Sequence, residues 1–353
     1  MSGSVLVAMS GGVDSSVSAL LLKEAGFDAV GVTMCLGVAE GAGAKPRCCG
    51  PEAIDDARRV CAWLGIAHHV LDYSRELEES VIGNFVQGYA KGRTPNPCIE
   101  CNRHLKFGIL MGHALALGFD YFATGHYARI EDDPGGFRLK TARDRRKDQT
   151  YFIYPLPLER MWSLRFPLGD LLKEEVRAIA RRAGLPVADR RESQDICFIA
   201  DGDYRDFIAR RIGPPQPGPI VYMAGNTVGH HRGLPFYTIG QRKSLGVCTR
   251  TPSYVVSIDP ASNRITVGDR SRLRASGLIT DDLHLLVSDL PAAAVAKVRS
   301  SHRGAACRVA REGERGIRVM FDEPQESITS GQSVVLYDGD LVLGGAIISR
   351  ALN

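Results

Sequence analysis

The chain has 353 residues, 44% of them hydrophobic, with a formal net charge of +4 and nine cysteines. That length and apolar content suit two or three packed domains and exclude a disordered or fibrous chain. No run of about 18 apolar residues occurs, so no transmembrane helix is expected. The first strand begins at Val5, so no signal peptide is expected, and an odd cysteine count would then suit a reducing cytoplasm. Basic residues cluster at Arg143, Arg145, Arg146 and Lys147, and again at Arg177, Arg181, Arg182, Arg190 and Arg191. Such runs are either solvated faces or contacts to RNA phosphates.

In chain order, Val5 to Met9 reads as a strand and Val17 to Lys23 as the first turns of a helix. Between them lies Ser10-Gly11-Gly12-Val13-Asp14-Ser15-Ser16. A strand that stops in glycines and opens a helix cradles an anion, because bare backbone N–H groups and the positive helix end face it. The loop lacks the lysine of a Walker A site and the spacing of a dinucleotide fingerprint. Ser-Gly-Gly-x-Asp-Ser resembles the pyrophosphate loop of ATP pyrophosphatases, which cut ATP between its α and β phosphates and adenylate a substrate. A carboxylate beside phosphates, as at Asp14, implies Mg²⁺ between them.

Further along, Ala29 to Met34 reads as a second strand, Pro51 to Leu64 as a helix, Ile66 to Leu71 as a third strand and Arg75 to Tyr89 as a helix. Asp120 to Thr124 is the fourth strand, running into Gly125-His126-Tyr127. Strands alternating with helices predict a parallel sheet covered on both faces, with ligands beyond the carboxyl ends of the strands. Leu168 to Gly184 reads as an amphipathic helix. After Asp203 the character changes: Pro214 to Pro219 is a stiff connector, and short strands follow. Val255 to Ile258 and Asn263 to Val267 form a hairpin, while Lys297 to Ser301, Ile317 to Phe321 and Ser333 to Tyr337 suggest a small barrel. The expected fold is therefore α/β. Residues 1–203 form the sheet domain, with 160–187 able to pack on the next one. Residues 204–275 form a small mixed central domain, and 276–353 a C-terminal all-β barrel.

Gly92-Arg93-Thr94-Pro95-Asn96-Pro97-Cys98-Ile99-Glu100-Cys101-Asn102 reads as a rigid loop fixed by its prolines. Cys98 and Cys101 make a C-x-x-C, which alone fits a redox pair or half of a zinc site. Cys197 lies in Glu192-Ser193-Gln194-Asp195-Ile196-Cys197-Phe198, and Lys106, Arg190 and Arg191 would favour thiolates near them. Cys48-Cys49 reads as a loop pair, and Cys35, Cys61, Cys248 and Cys307 as small buried side chains.

Taken together, Ser10 to Ser16, Gly92 to Phe107, Gly125-His126-Tyr127, Lys147-Asp148-Gln149-Thr150-Tyr151-Phe152, Ser193 to Phe198 and Gly331-Gln332 span nearly the whole chain. In these motifs it resembles the bacterial tRNA-specific 2-thiouridylases, which thiolate the wobble uridine, position 34 of tRNA. The resemblance implies ATP on Ala8, Met9, Ser10, Gly11, Gly12, Val13, Asp14 and Ser15, with Met34 and Gly125 at the adenine side. It implies that Asn96, Pro97 and Cys98 meet the target base, and that His126, Lys147, Asp148, Gln149, Arg299 and Gln332 touch tRNA. Cys197 would carry a persulfide supplied by an upstream sulfur-donor protein. Cys101 would be the nucleophile that ends in a disulfide with it. The chain departs from the family pattern at Cys98, where some members have aspartate, and at Ser300, where an aromatic residue is common.

The implied enzyme is a cytoplasmic, monomeric sulfurtransferase. Two other readings stay open at this point. One is a synthetase of the same loop type that adenylates a small substrate. The other is a non-catalytic RNA-binding regulator carrying a [4Fe–4S] cluster on Cys98, Cys101 and Cys197.

Overall fold

A computed structural model describes residues 3–37, 51–191, 196–199, 203–247 and 251–352. The Cys48-Cys49 pair, Cys248 and positions 192–195 of the Cys197 motif lie outside the described residues. The chain divides into two compact units. Residues 1–81, 98–202 and 340–342 make the first, and residues 82–97, 203–339 and 343–353 the second.

The first unit is built on a five-stranded parallel sheet in the order β3-β2-β1-β4-β7. Its strands are β1 (Ser4–Ala8), β2 (Asp28–Cys35), β3 (His68–Asp72), β4 (Tyr121–Ala123) and the short β7 (Leu164–Arg165). Val5, Leu6 and Val7 are all buried, as a central parallel strand with both faces covered requires. Helix α1 (Val13–Glu24) is buried along most of its length. Its serines tolerate this because Ser16 and Ser18 return their hydroxyls to the carbonyls of Gly12 and Asp14, at 2.8 and 3.0 Å. Helix α2 (Pro51–Leu64) adds Ala57, Val60, Cys61 and Leu64 to the same core.

Two expectations change in this unit, and one element is new. The stretch after Pro97 is a helix, α3, which runs through Pro97–Glu100, Cys101–Leu110 and Met111–Ala116. Pro97 sits at its first position, where a missing N–H costs nothing, so the proline starts a helix instead of stiffening a loop. The amphipathic helix expected from Leu168 begins only at Lys173, as α4 (Lys173–Arg182). Glu175 turns back to accept the Leu172 N–H at 2.6 Å, and Asp144 accepts the Lys173 N–H at 3.1 Å, which fixes the start. A hairpin, β5 (Ala128–Asp133) and β6 (Gly136–Thr141), had no counterpart in the sequence reading. Leu341 pairs with Lys140 of this hairpin, and Asp340 accepts from Arg129 at 2.8 Å and from Arg145.

In the second unit, helix α5 (Tyr204–Ile212) is capped by the Asp203 carboxylate. A four-stranded sheet, β10-β11-β8-β9, follows, made of β8 (Gly218–Tyr222), β9 (Thr227–His231), β10 (Tyr254–Asp259) and β11 (Arg264–Gly268). Its core is Ile220, Leu234, Tyr237, Leu245, Val255, Ile265 and Val267. The expected hairpin is β10 with β11, antiparallel. The remaining strands are β12 (Arg274–Leu285), β13 (Ala293–Lys297), β14 (Ala305–Glu312), β15 (Gly316–Glu326), β16 (Ser333–Asp338) and β17 (Leu341–Leu352). Pairing of β12 with both β15 and β17 closes them into a barrel. The strand expected over Lys297 to Ser301 instead ends at Lys297, because the chain turns there and His302 N–H bonds to the Arg299 carbonyl at 3.0 Å.

Candidate active site

Strand order reverses between β1 and β4: the chain leaves β1 toward β2 on one side, and β4 lies on the other. Such a switch point opens a crevice at the carboxyl ends of the strands. Ser10 to Ser15 and Gly125-His126 both emerge there. The two loops touch so closely that a Cβ on Gly125 would lie 2.7 Å from the Ser15 nitrogen. Gly11 has φ +70°, and a Cβ there would strike the Ala53 carbonyl. Only glycine fits either position without displacing backbone.

Gly12 caps α1 in extended conformation with no side-chain bond, so the first-turn N–H groups point out of the helix end. Ser10 and Ser15 fix the loop: Ser15 Oγ accepts from Ser10 N at 3.1 Å and donates to the Gly12 carbonyl at 3.2 Å. Met9 is buried, and its carbonyl accepts from Thr33 Oγ1 at 2.9 Å. Met34 is buried near the carboxyl end of β2. A cradle of this shape fits a nucleotide's phosphate chain.

Asp14 does not stand free for a metal ion. Lys173 Nζ donates to both its carboxylate oxygens, at 2.6 and 2.8 Å, and Tyr127 Oη donates at 3.0 Å. A Mg²⁺ ion on Asp14 would share the carboxylate with the Lys173 ammonium. Lys173 is the residue beside the loop that sequence reasoning missed. It lies 159 residues from Asp14 and only 9% of its side chain is exposed. One signal pointed to it: a lysine at the first position of a helix opposes the helix dipole, so something else must hold it there. Arg190, expected to act on a thiol, instead donates to the Gly11 carbonyl at 3.0 Å and pairs with Asp56.

The sulfur end lies on α3 in the same unit. Cys101 is buried and Cys197 half-buried, while Cys98 carries exposed surface. At Cys98 and Cys101 the expectation of thiolates is overturned. Burial pushes the Cys101 thiol up to about 12, against the pull of Lys106, and Cys197 and Cys98 push it further up. Crowding by protein raises Cys98 to about 11 and the charge of Cys197 adds to this, while Lys106 again opposes. The three sulfurs thus share one electrostatic field. Yet among the described residues no group of three or more His, Cys, Asp or Glu side chains could hold a metal ion, so an iron–sulfur cluster on Cys98, Cys101 and Cys197 finds no support.

His126 is neutral at physiological pH, because burial lowers its pKa well below the usual range and Lys106 lowers it further. Its ring packs against Phe107 and Phe166, and its Nδ1 bonds Thr124 Oγ1 at 2.7 Å. It therefore offers a neutral ring rather than a cation. Asp148 accepts from Ala142 N at 3.0 Å and Thr150 Oγ1 at 2.7 Å. Gln149 Oε1 accepts from Tyr127 N at 2.9 Å. Both hold the loop behind Asp14, and Lys147 beside them is half-buried.

In the second unit, Gln332 Nε2 donates to the Thr94 carbonyl at 2.8 Å, and the Ser330 carbonyl accepts from Thr94 N at 2.8 Å. The segment leading to Asn96 and Pro97 is thereby tied down. Arg299 is half-buried and donates to the Glu326 carbonyl at 3.1 Å.

A glycine cradle at the switch point of a parallel sheet, with a group of thiols in the same unit, defines a nucleotide-binding α/β enzyme domain. Family models agree in chain order: a tRNA methyl transferase HUP domain matches residues 3–201, a tRNA methyl transferase PRC-barrel domain 205–269, and an aminomethyltransferase beta-barrel domain 275–348. The chain belongs to the tRNA-specific 2-thiouridylase family. It is 53% identical to tRNA-specific 2-thiouridylase MnmA 1 of Syntrophus aciditrophicus (strain SB), over 99% of this chain and 93% of that protein. It is 47% identical to tRNA-specific 2-thiouridylase MnmA of Carboxydothermus hydrogenoformans, over 99% and 98%. The corresponding protein of Moorella thermoacetica is 48% identical over 97% and 98%.

Proposed function

We propose that this chain replaces the C2 oxygen of uridine 34 in tRNA with sulfur, consuming ATP and releasing AMP and pyrophosphate. The observation that carries the reading is the presence, in one compact unit, of a phosphate cradle and the sulfur group Cys98, Cys101 and Cys197. The C2 oxygen is a poor leaving group, and ATP supplies the adenylyl group that makes it a good one. Ala8 to Ser15 hold the phosphates through backbone N–H groups, which suits the charge that develops as pyrophosphate departs. Met34 and Gly125 border the base of the nucleotide.

Cys197 carries the persulfide, delivered by a separate sulfur-donor protein. Its outer sulfur bonds C2, and AMP leaves with the former carbonyl oxygen. The Cys101 thiolate attacks the inner sulfur, which breaks the persulfide S–S bond and forms a Cys101–Cys197 disulfide. A dithiol reductant then restores both thiols. Lys147, His126, Arg299 and Gln332 contribute tRNA contacts, and Asn96, Pro97 and Cys98 contact the target base. The test is nucleoside mass spectrometry of tRNA incubated with the protein, ATP, Mg²⁺ and a persulfide source. We expect 2-thiouridine at position 34 in step with AMP. AMP without thiolated nucleoside would overturn the reading.

A further inference from the structure

Helix α3 changes its winding at the reactive cysteine. It is α-helical over Pro97–Glu100, π-helical over Cys101–Leu110 and α-helical again over Met111–Ala116. In a π turn the hydrogen bond joins residues five apart, so residue 106 stands one turn above residue 101. In an α-helix the same two positions would lie about 140° apart around the axis. The wide turn leaves a second mark on the sequence. A Cβ on Gly108 would lie 2.8 Å from the Arg103 carbonyl, five residues back, so glycine is the residue the winding accepts there.

Lys106 is the residue this register brings onto the face of Cys101. Its charge acts on Cys101, on Cys98 and on the neutral His126, whose ring packs on Phe107. Burial, Cys98 and Cys197 all oppose ionisation of Cys101, and Lys106 is the group that favours it. A buried thiol needs such a partner, because the thiolate and not the thiol attacks sulfur. Long π segments are uncommon and cluster at functional sites.

We propose that Lys106 is the positioning cation of sulfur transfer, set over Cys101 by the π winding of α3, and that Gly108 exists to permit that winding. The proposal rests on the sulfur-transfer reading for its purpose, but its physical content needs neither ATP nor tRNA. Alkylation of Cys101 by iodoacetamide, followed by peptide mass spectrometry from pH 7 to 10, measures its thiolate directly. In Lys106→Met the rate at fixed pH should fall about tenfold, equivalent to about one pKa unit, and Lys106→Arg should restore most of it. Gly108→Ala keeps the lysine but tightens the turn, and should slow alkylation in the same direction. Thermal melts confirm that each variant is folded.

A wild-type pH profile in Lys106→Met would overturn the proposal. Equal slowing in Lys106→Met and Lys106→Arg would overturn it too, since that outcome marks packing rather than charge. An unchanged profile in Gly108→Ala would overturn the part played by the winding. If the shifts occur but no 2-thiouridine ever forms, the functional reading fails and the role of Lys106 stands.

Discussion

The phosphate end and the sulfur end of the first unit handle charge in opposite ways. At the phosphate end the charges are present and compensated: Asp14 is held by Lys173 and Tyr127, and the serines close on the loop's own backbone. At the sulfur end the thiols stay protonated: burial raises Cys101 to about 12, and desolvation by surrounding protein, with the charge of Cys197 adding, raises Cys98 to about 11 although that residue keeps exposed surface. Under the proposed function the difference follows from what each end handles. A polyphosphate arrives fully charged and needs a preformed receptor. A thiolate left standing would oxidise or alkylate, so it is better formed only when used.

This comparison can be broken most forcefully at Asp14. Asp14→Ala strands a buried ammonium, and removing one partner of such a pair costs about 3 kcal/mol. Urea denaturation should show that loss, and the double variant Asp14→Ala/Lys173→Met should recover part of it. Additive losses would mean the pair carries no coupling.

For the buried thiols, Cys101 at the sulfur end and Cys61 in the core under α2, pH is the lever. The buried thiols of Cys61 and Cys101 are raised to about 11 and 12, above the unfolded value of about 8.5. Between those values the unfolded chain has released protons that the folded chain retains. The stability these neutral thiols contribute is therefore complete below about pH 8.5 and is lost as pH rises toward 11 or 12. Burial also raises Tyr89, which acts in the same direction. Urea midpoints should fall steadily above pH 9, and Cys61→Ala should flatten the slope. A midpoint independent of pH over this range would remove the contrast between the two ends.

The smallest effect belongs to Tyr127→Phe, which deletes one donor to Asp14 and leaves the lysine in place. A loss of about 1 kcal/mol is expected by the same denaturation assay. A loss as large as that of Asp14→Ala would show that the tyrosine, and not Lys173, anchors the carboxylate.

What could be read from sequence divides along physical lines. The turn from Ser10 to Ser15 was legible because its geometry is set by contiguous residues, with glycine where a Cβ cannot fit. The parallel sheet was legible because buried strands read as apolar runs between helices. The pairing of Lys173 with Asp14 was not, since it is chosen by the packing of α4 against α1 and leaves no spacing to detect; only the lysine's place at a helix start hinted at a partner. The helix after Pro97 was hidden because proline marks both loops and helix starts, and π winding has no compositional sign except a glycine such as Gly108. Thiol charge was misjudged at Cys101 because nearby lysine and arginine are visible in the sequence while burial is not. Arg190 shows the converse error: a basic residue close in sequence to Cys197 spends its charge on Asp56 and the Gly11 carbonyl.

Asp340 has a consequence for the order in which the protein is made. The guanidinium groups of Arg129 and Arg145 are matched by a carboxylate that follows them by 211 and 195 residues. During synthesis the β5–β6 hairpin emerges with Glu131 beside Arg129, but the Asp340 carboxylate that also accepts from Arg129 and Arg145 is not yet made, and Leu341 is not yet available to pair with Lys140. The first unit is thus finished by a segment translated after nearly all of the second. Domains that fold strictly one after another on the ribosome need contiguous chain. Here a nascent chain lacking residues 340–342 would hold an open hairpin edge, and a fragment ending near residue 202 would not be the first unit but an unfinished version of it.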